Sequence, residues 1–277
     1  MSKSSPQPAT IKQRFIACTQ STGRVGKSTV ADGLISWFEF AGIPYSAVDT
    51  DKQHHTLSDR HAGKVHLFDA TASADEFGLF LTSLPDKPAL IVDFPSQTTE
   101  TILSNAEHFQ MMDSFETLGI RPTLLIFTAD DSTAKDSAYE TLEFFADKAD
   151  YILVENSARF RSDAFKSTAL YDRFLARKSP TIVVDRISVG TLNEWDAAQH
   201  KLGRFLSLDD MEKLPGLSLN ARLEMSGVRN RFLVQCEECA ALLIPDPALI
   251  KNKVIRLESK TKKRPANRLG NPDLIRK

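Results

Sequence analysis

Short, continuously apolar runs alternate with segments of helical period along most of the chain. The runs of strand length are Arg14–Thr19, Tyr45–Val48, Lys64–Phe68, Ala89–Phe94, Thr123–Phe127, Tyr151–Val154 and Thr181–Val184. Most are apolar throughout rather than alternating, the pattern of strands buried on both faces. Between them, Val30, Leu34, Trp37, Phe38 and Ala41 share one helical face, and Gly42 followed by Pro44 supplies a stop. Ile102, Ala106 and Phe109 mark a second helix, and Ala134, Ala138, Leu142 and Phe145 a third. This alternation predicts a doubly wound α/β domain, a mostly parallel sheet with helices on both faces, over about residues 12–206.

Towards the end the pattern changes. Leu192, Trp195, Leu202 and Phe205 have helical spacing, as do Phe232, Cys236, Cys239, Ala240 and Leu243. No strand pattern follows, so residues 207–246 are expected to be helices packed on the sheet, with Pro245 and Pro247 ending the ordered body. The expected organisation is a flexible arm over 1–12, one domain over 13–246 and a flexible basic tail over 247–277.

Composition narrows the class. At 277 residues and 42% hydrophobic, with 17 Phe, the chain can bury a large core, which excludes disorder over most of its length. No stretch approaches the roughly 20 apolar residues of a membrane span, and the polar start carries no secretory pattern. Three Cys give no disulfide framework, so a cytoplasmic protein is expected. The net charge of -1 conceals an asymmetry: residues 251–277 carry ten Lys/Arg and two acids, or +8, against -9 for the rest. A basic tail on an acidic body points to nucleic acid, an anionic membrane or an acidic partner, the alternative being a solvated end. It lacks the apolar face of an interfacial helix, so non-specific DNA is the expected partner and a membrane is not.

The first strand runs directly into Gln20-Ser21-Thr22-Gly23-Arg24-Val25-Gly26-Lys27-Ser28-Thr29, and a helix follows. Strand, glycine-bearing loop, Gly-Lys-Ser and helix are the parts of a phosphate-binding loop. Glycines let successive N–H groups turn towards phosphate oxygens, and the helix N-terminus adds partial positive charge. Lys27 would reach the β- and γ-phosphates and the Ser28 hydroxyl would bind Mg²⁺. The standard spacing also asks for Gly at position 21, which is Ser here. Two other strand ends carry carboxylates, Asp49-Thr50-Asp51 and Asp93-Phe94-Pro95. In a parallel sheet such ends lie beside the loop, where a metal ion and an attacking water are held.

At these residues the chain resembles the ParA/MinD-type ATPases with a deviant Walker A motif, over about residues 12–206. Gly23 to Thr29 is similar to the family loop, Asp49-Thr50-Asp51 with Gln53 to its Asp-x-Asp-Pro-Gln segment, and Leu90–Pro95 to its Walker B strand. The resemblance implies a P-loop ATPase in which Gly23, Arg24, Val25, Gly26, Lys27, Ser28 and Thr29 cradle ATP. By the same resemblance Asp51 orients the catalytic water, Asp49 and Asp93 hold Mg²⁺ through waters beside Ser28, and Asn156 reads adenine. With no Asn-Lys-x-Asp guanine motif there, ATP is favoured over GTP. It further implies an ATP-dependent homodimer with an adaptor protein, serving DNA partition, positioning or plasmid transfer.

Two departures bear on turnover. The family's signature Lys would stand at Thr22, and the second loop Gly is Arg24. Either hydrolysis is slow or differently regulated, or Arg24 supplies the missing cation. The alternatives are a weakly hydrolysing, nucleotide-sensing scaffold, or a small-molecule kinase or ligase on the same loop. Cys236 and Cys239 form a lone Cys-x-x-Cys on an apolar helical face and are expected to be buried structural thiols. His54, His55 and His61 are expected in a solvated loop.

Overall fold

The computed structural model describes residues 10–20, 22–69, 73–83, 85–108, 110–157, 161–210, 213–214 and 216–254. Strands β1 (Gln13–Cys18), β2 (Tyr45–Asp49), β3 (Val65–Leu67), β4 (Ala89–Asp93), β5 (Ile120–Phe127), β6 (Asp150–Asn156) and β7 (Thr181–Val184) form one sheet. Its order is β3-β2-β4-β1-β5-β6-β7, with every neighbouring pair parallel. The connecting helices are α1 (Lys27–Ala41), α2 (Thr56–Arg60), α3 (Ala74–Ser83), α4 (Thr99–His108), α5 (Met111–Leu118) and α6 (Ser132–Phe145). After them come α7 (Asp163–Lys166), α8 (Ala169–Ala176), α9 (Val189–Leu202), α10 (Leu219–Glu238) and α11 (Ala240–Leu243).

Alternate residues of each strand point to opposite faces, so the sheet separates two cores. Ile16 and Cys18 of β1 join Leu34, Trp37 and Phe38 of α1 and Phe232 of α10 on one face. Phe15 and Ala17 join Leu142 and Phe145 of α6 and Phe174 of α8 on the other. All seven apolar runs read from the sequence are strands of this sheet. Because β1 lies between β4 and β5, the connections leaving it and β4 diverge, which opens a crevice at the C-terminal end of β1.

Helix ends follow local chemistry. Gly42 takes φ 68 and closes α1 by donating its N–H to Glu39 and Phe38 carbonyls. Inside α1, Gly33 permits close packing of α10: a Cβ there would lie 2.5 Å from Phe232 Cε1. The free edge of β7 is covered by Gln235 of α10, whose Oε1 accepts Val183 N–H at 2.6 Å while its Nε2 donates to Val183 O at 3.1 Å. One amide side chain thus stands in for a further strand.

Several expectations are corrected. Helix α9 stops at Leu202, with Gly203 at φ 63, and Phe205 lies beyond it, 44% exposed. The apolar spacing ran past a glycine stop. The ordered body does not end at Pro245 and Pro247. Pro247 opens a short 3₁₀ turn capped by Asp246, and the chain then packs on α1. There Lys251 N–H donates to Ala41 O at 2.9 Å, and Asn252 Nδ2 to Phe40 O at 2.9 Å. Carbonyls of the last turn of α1, which have no partner within the helix, accept these bonds. Residues 1–9 of the expected arm, residues 255–277 of the expected tail, Ser21 and Phe109 lie outside the described residues.

Candidate functional site

Three side chains fasten the loop after β1 to its surroundings. Gln20 is fully buried and donates Nε2 to Phe127 O at 2.8 Å and Ala134 O at 3.0 Å, while its Oε1 accepts Phe127 N–H. That amide ties the end of β1 to β5 and α6. Thr22 Oγ1 donates to Asp131 Oδ1 at 3.0 Å, the oxygen that also caps α6 by accepting Ala134 N–H at 2.8 Å. Asn156, at the end of β6, donates Nδ2 to Val25 O at 2.8 Å. Gly26 sits beneath this amide at φ 103, where a Cβ would stand 2.7 Å from Asn156 Nδ2. Backbone and neighbour both require glycine there.

Lys27 folds over the loop rather than into solvent. Its Nζ donates to Gln20 O at 3.0 Å, Thr22 O at 2.9 Å and Ser96 Oγ at 3.2 Å. Burial lowers its pKa, opposed by the charges of Asp93, Cys18 and Asp51. Beside it the Ser28 hydroxyl bonds the Asp93 carboxylate. Burial pushes Asp93 up to about 7; the Ser28 bond opposes this, the Asp49 charge adds to it, and the Lys27 and Arg60 charges oppose it. Asp93 Oδ1 is buried without a partner. A carboxylate oxygen in that state, next to a serine hydroxyl, is chemically suited to a divalent cation.

These groups face a cleft of about 990 Å³, lined also by Arg24, Thr29, Asp51, Arg60 and Asn156. Arg24 is exposed and held at φ 62, an uncommon backbone state for a non-glycine residue. Asp51 accepts Gln53 N–H at 2.9 Å and His54 N–H at 3.1 Å on Oδ1, and its Oδ2 lies 3.4 Å from His54 Nδ1. The Ser96-Gln97-Thr98 segment after β4 completes one wall.

Asp49, expected to hold Mg²⁺ through water, is not among the side chains that line the cleft. It is 1% exposed, Oδ1 accepts Asp51 N–H at 3.0 Å, and Oδ2 accepts Leu57 and Ser58 N–H at 3.0 Å each. Three backbone N–H groups meet on this carboxylate, which organises the 51–58 segment. His61 is likewise not solvated: it is 6% exposed, with Nε2 2.8 Å from Asp32 Oδ1. Its position four residues after Leu57, itself fully buried, was the available signal for burial. Arg60 was missed as well, and nothing in its spacing separates it from a solvated arginine. Cys236 and Cys239 belong to the core under α1, and burial pushes the Cys239 thiol up to about 12. Among the described residues, no three His, Cys, Asp or Glu side chains cluster as a metal site. None of the described helices is long and apolar enough to cross a membrane.

The chain has a P-loop NTPase fold: a parallel, doubly wound sheet whose central strand leads through a glycine-bearing loop and Gly26-Lys27-Ser28 into a helix. No family model matches it, and no curated protein does. Among solved structures, it is similar to the MinC:MinD cell division complex of Aquifex aeolicus, at 13% identity and TM-score 0.46, over 79% of this chain and 94% of that one. MinD of Aquifex aeolicus is similar at 12% identity and TM-score 0.44, over 79% and 95%. An ADP-complexed nucleotide-binding protein of Archaeoglobus fulgidus is similar at 17% identity and TM-score 0.43, over 66% and 85%. The strand order, and the loop that leaves its central strand, define the fold.

Proposed function

We propose that the chain binds ATP with Mg²⁺ in this cleft and works as a dimerising nucleotide switch. The observation that carries the reading is the meeting of Lys27 with the Ser28–Asp93 pair at the C-terminal end of β1. Lys27 and the N–H groups from Gly23 to Thr29 bind phosphate oxygens. Ser28 and Asp93 would hold Mg²⁺, which when bound neutralises charge on the β- and γ-phosphates. Asp49, with three backbone N–H groups on its oxygens, would act on the ion through water from behind this set. Asp51, which lines the cleft, orients water, and Asn156 borders the space for the base.

By the resemblance in sequence, ATP favours a homodimer that engages an adaptor, and hydrolysis releases it. The role implied is DNA partition, positioning or plasmid transfer, and the charge of residues 251–277 adds DNA affinity. A second reading, the weakly hydrolysing scaffold, is favoured by one contact. The side chain at position 22 is engaged within its own chain by Asp131 and carries no cation. Calorimetry with Mg²⁺ and ATP tests the site: Lys27→Ala loses most of the affinity, whereas unchanged affinity refutes the loop assignment. Asp51→Ala retains affinity and loses turnover. Turnover with and without duplex DNA separates switch from scaffold.

A further inference from the structure

Arg60 is a cation of the cleft that the roles above leave unused. It ends α2, lines the same cleft as Lys27 and Asp93, and its side chain is 15% exposed. A guanidinium offers five N–H donors. Among the described residues this one makes a single ion pair, Nη1 to Asp32 Oδ2 at 3.3 Å, and its Nε is buried without a partner. Asp32 has other partners on its second oxygen: His61 Nε2 at 2.8 Å and Leu208 N–H at 3.4 Å both meet Oδ1. A cation withdrawn from water with donors unspent is costly unless a ligand completes its bonding.

Position decides which part of a ligand it meets. Helix α2 follows β2, which lies beyond β4 from the loop, whereas Asn156 flanks the loop on the β6 side. Arg60 therefore stands on the Asp93 side, where its charge acts on the Asp93 carboxylate. We propose that Arg60 binds the terminal phosphate of a nucleoside triphosphate from within the same chain, exchanging its long contact with Asp32 for phosphate oxygens. This rests on the nucleotide reading above. The exchange leaves Asp32 held through Oδ1 by His61 and Leu208, and the contact it gives up is a long one, 3.3 Å.

The test measures Kd for ADP and for a slowly hydrolysed ATP analogue, each with Mg²⁺, on the full chain. Arg60→Ala should weaken the analogue about 10- to 100-fold, as expected for a lost charge-assisted hydrogen bond, and change ADP less than about threefold. Arg60→Lys should recover part of the loss, and it reads the same ratio if Arg60→Ala does not fold. Asp32→Asn, which loosens Arg60 without removing it, should leave analogue affinity at or above wild type. Equal losses on both ligands, or no loss on either, overturn the inference while leaving the nucleotide reading intact. A wild-type chain that binds neither ligand overturns both.

Discussion

Gly26→Ala perturbs the loop where two requirements coincide. At φ 103 and ψ 22 an L-residue costs about 1–2 kcal/mol in backbone energy. The new Cβ would also stand 2.7 Å from Asn156 Nδ2 and 3.7 Å from its Cγ. Asn156 must then leave Val25 O, forfeiting a hydrogen bond worth about 0.5–1.5 kcal/mol. Reduced freedom of the unfolded chain offsets about 0.4–1 kcal/mol. The net destabilisation is about 1–3 kcal/mol, measured as a lower urea midpoint at unchanged slope in nucleotide-free protein. Asn156→Ala separates the two parts. In that background the clash is gone, and Gly26→Ala should cost only the backbone share, a coupling of about 1 kcal/mol. Equal penalties in both backgrounds would refute the contact between Asn156 and the loop. No penalty in either would refute the loop conformation.

Other outcomes follow from the same structure. Gly33→Ala places a Cβ 2.5, 2.8 and 2.9 Å from three atoms of the Phe232 ring, so overpacking of about 1–3 kcal/mol should outweigh a helix gain of about 1 kcal/mol; a raised melting temperature would deny the α1–α10 contact. Asp93, raised to about 7, takes up its proton in the folded state at higher pH than when unfolded. With metal chelated, wild type should therefore lose stability relative to Asp93→Asn as pH rises from about 4 to 7, by at most about 4 kcal/mol, and stay level above; a pH-independent difference counts against the buried carboxylate. Deleting residues 255–277 should weaken binding similarly on any duplex and flatten a log affinity–log salt slope of about -4 to -5, with ATP affinity unchanged; an unaltered slope returns the tail to a solvated role.

Local signals carried much of the fold. Strands buried on both faces declare themselves as apolar runs, and the loop declares itself because Gly26, Lys27 and Ser28 act through neighbours in sequence. The short helices α2, α5, α7 and α8 were not legible, since each is too brief to establish a period, and α3 was not read either. Asp49 and Asp51 are indistinguishable as letters two positions apart at one strand end. They part only because the following turn returns Leu57 and Ser58 N–H to the first carboxylate. Arg60, His61 and Asp32 illustrate the same limit across 29 residues: the partner that buries the pair lies on another helix.

The tethers on the loop also bear on how a nucleotide would enter. Gln20, Thr22 and Asn156 join it to β5, α6 and β6, so its backbone is braced before any ligand arrives. What must move is Lys27, whose ammonium spends its bonds on Gln20 O, Thr22 O and Ser96 Oγ. Phosphate binding on the proposed reading is then an exchange: carbonyl and hydroxyl acceptors are given up for anionic ones. Because Lys27 is already 7% exposed, little further desolvation accompanies the move. The Ser96 hydroxyl is released in the same step, and it belongs to the segment directly after Asp93. Occupancy of the loop is thereby coupled to the wall of the cleft through one side chain. Ser96→Ala should leave the fold intact while removing that link, so the protection of residues 94–98 from hydrogen exchange should no longer depend on nucleotide. If nucleotide protects that segment equally in the variant, the coupling does not pass through Lys27 and Ser96.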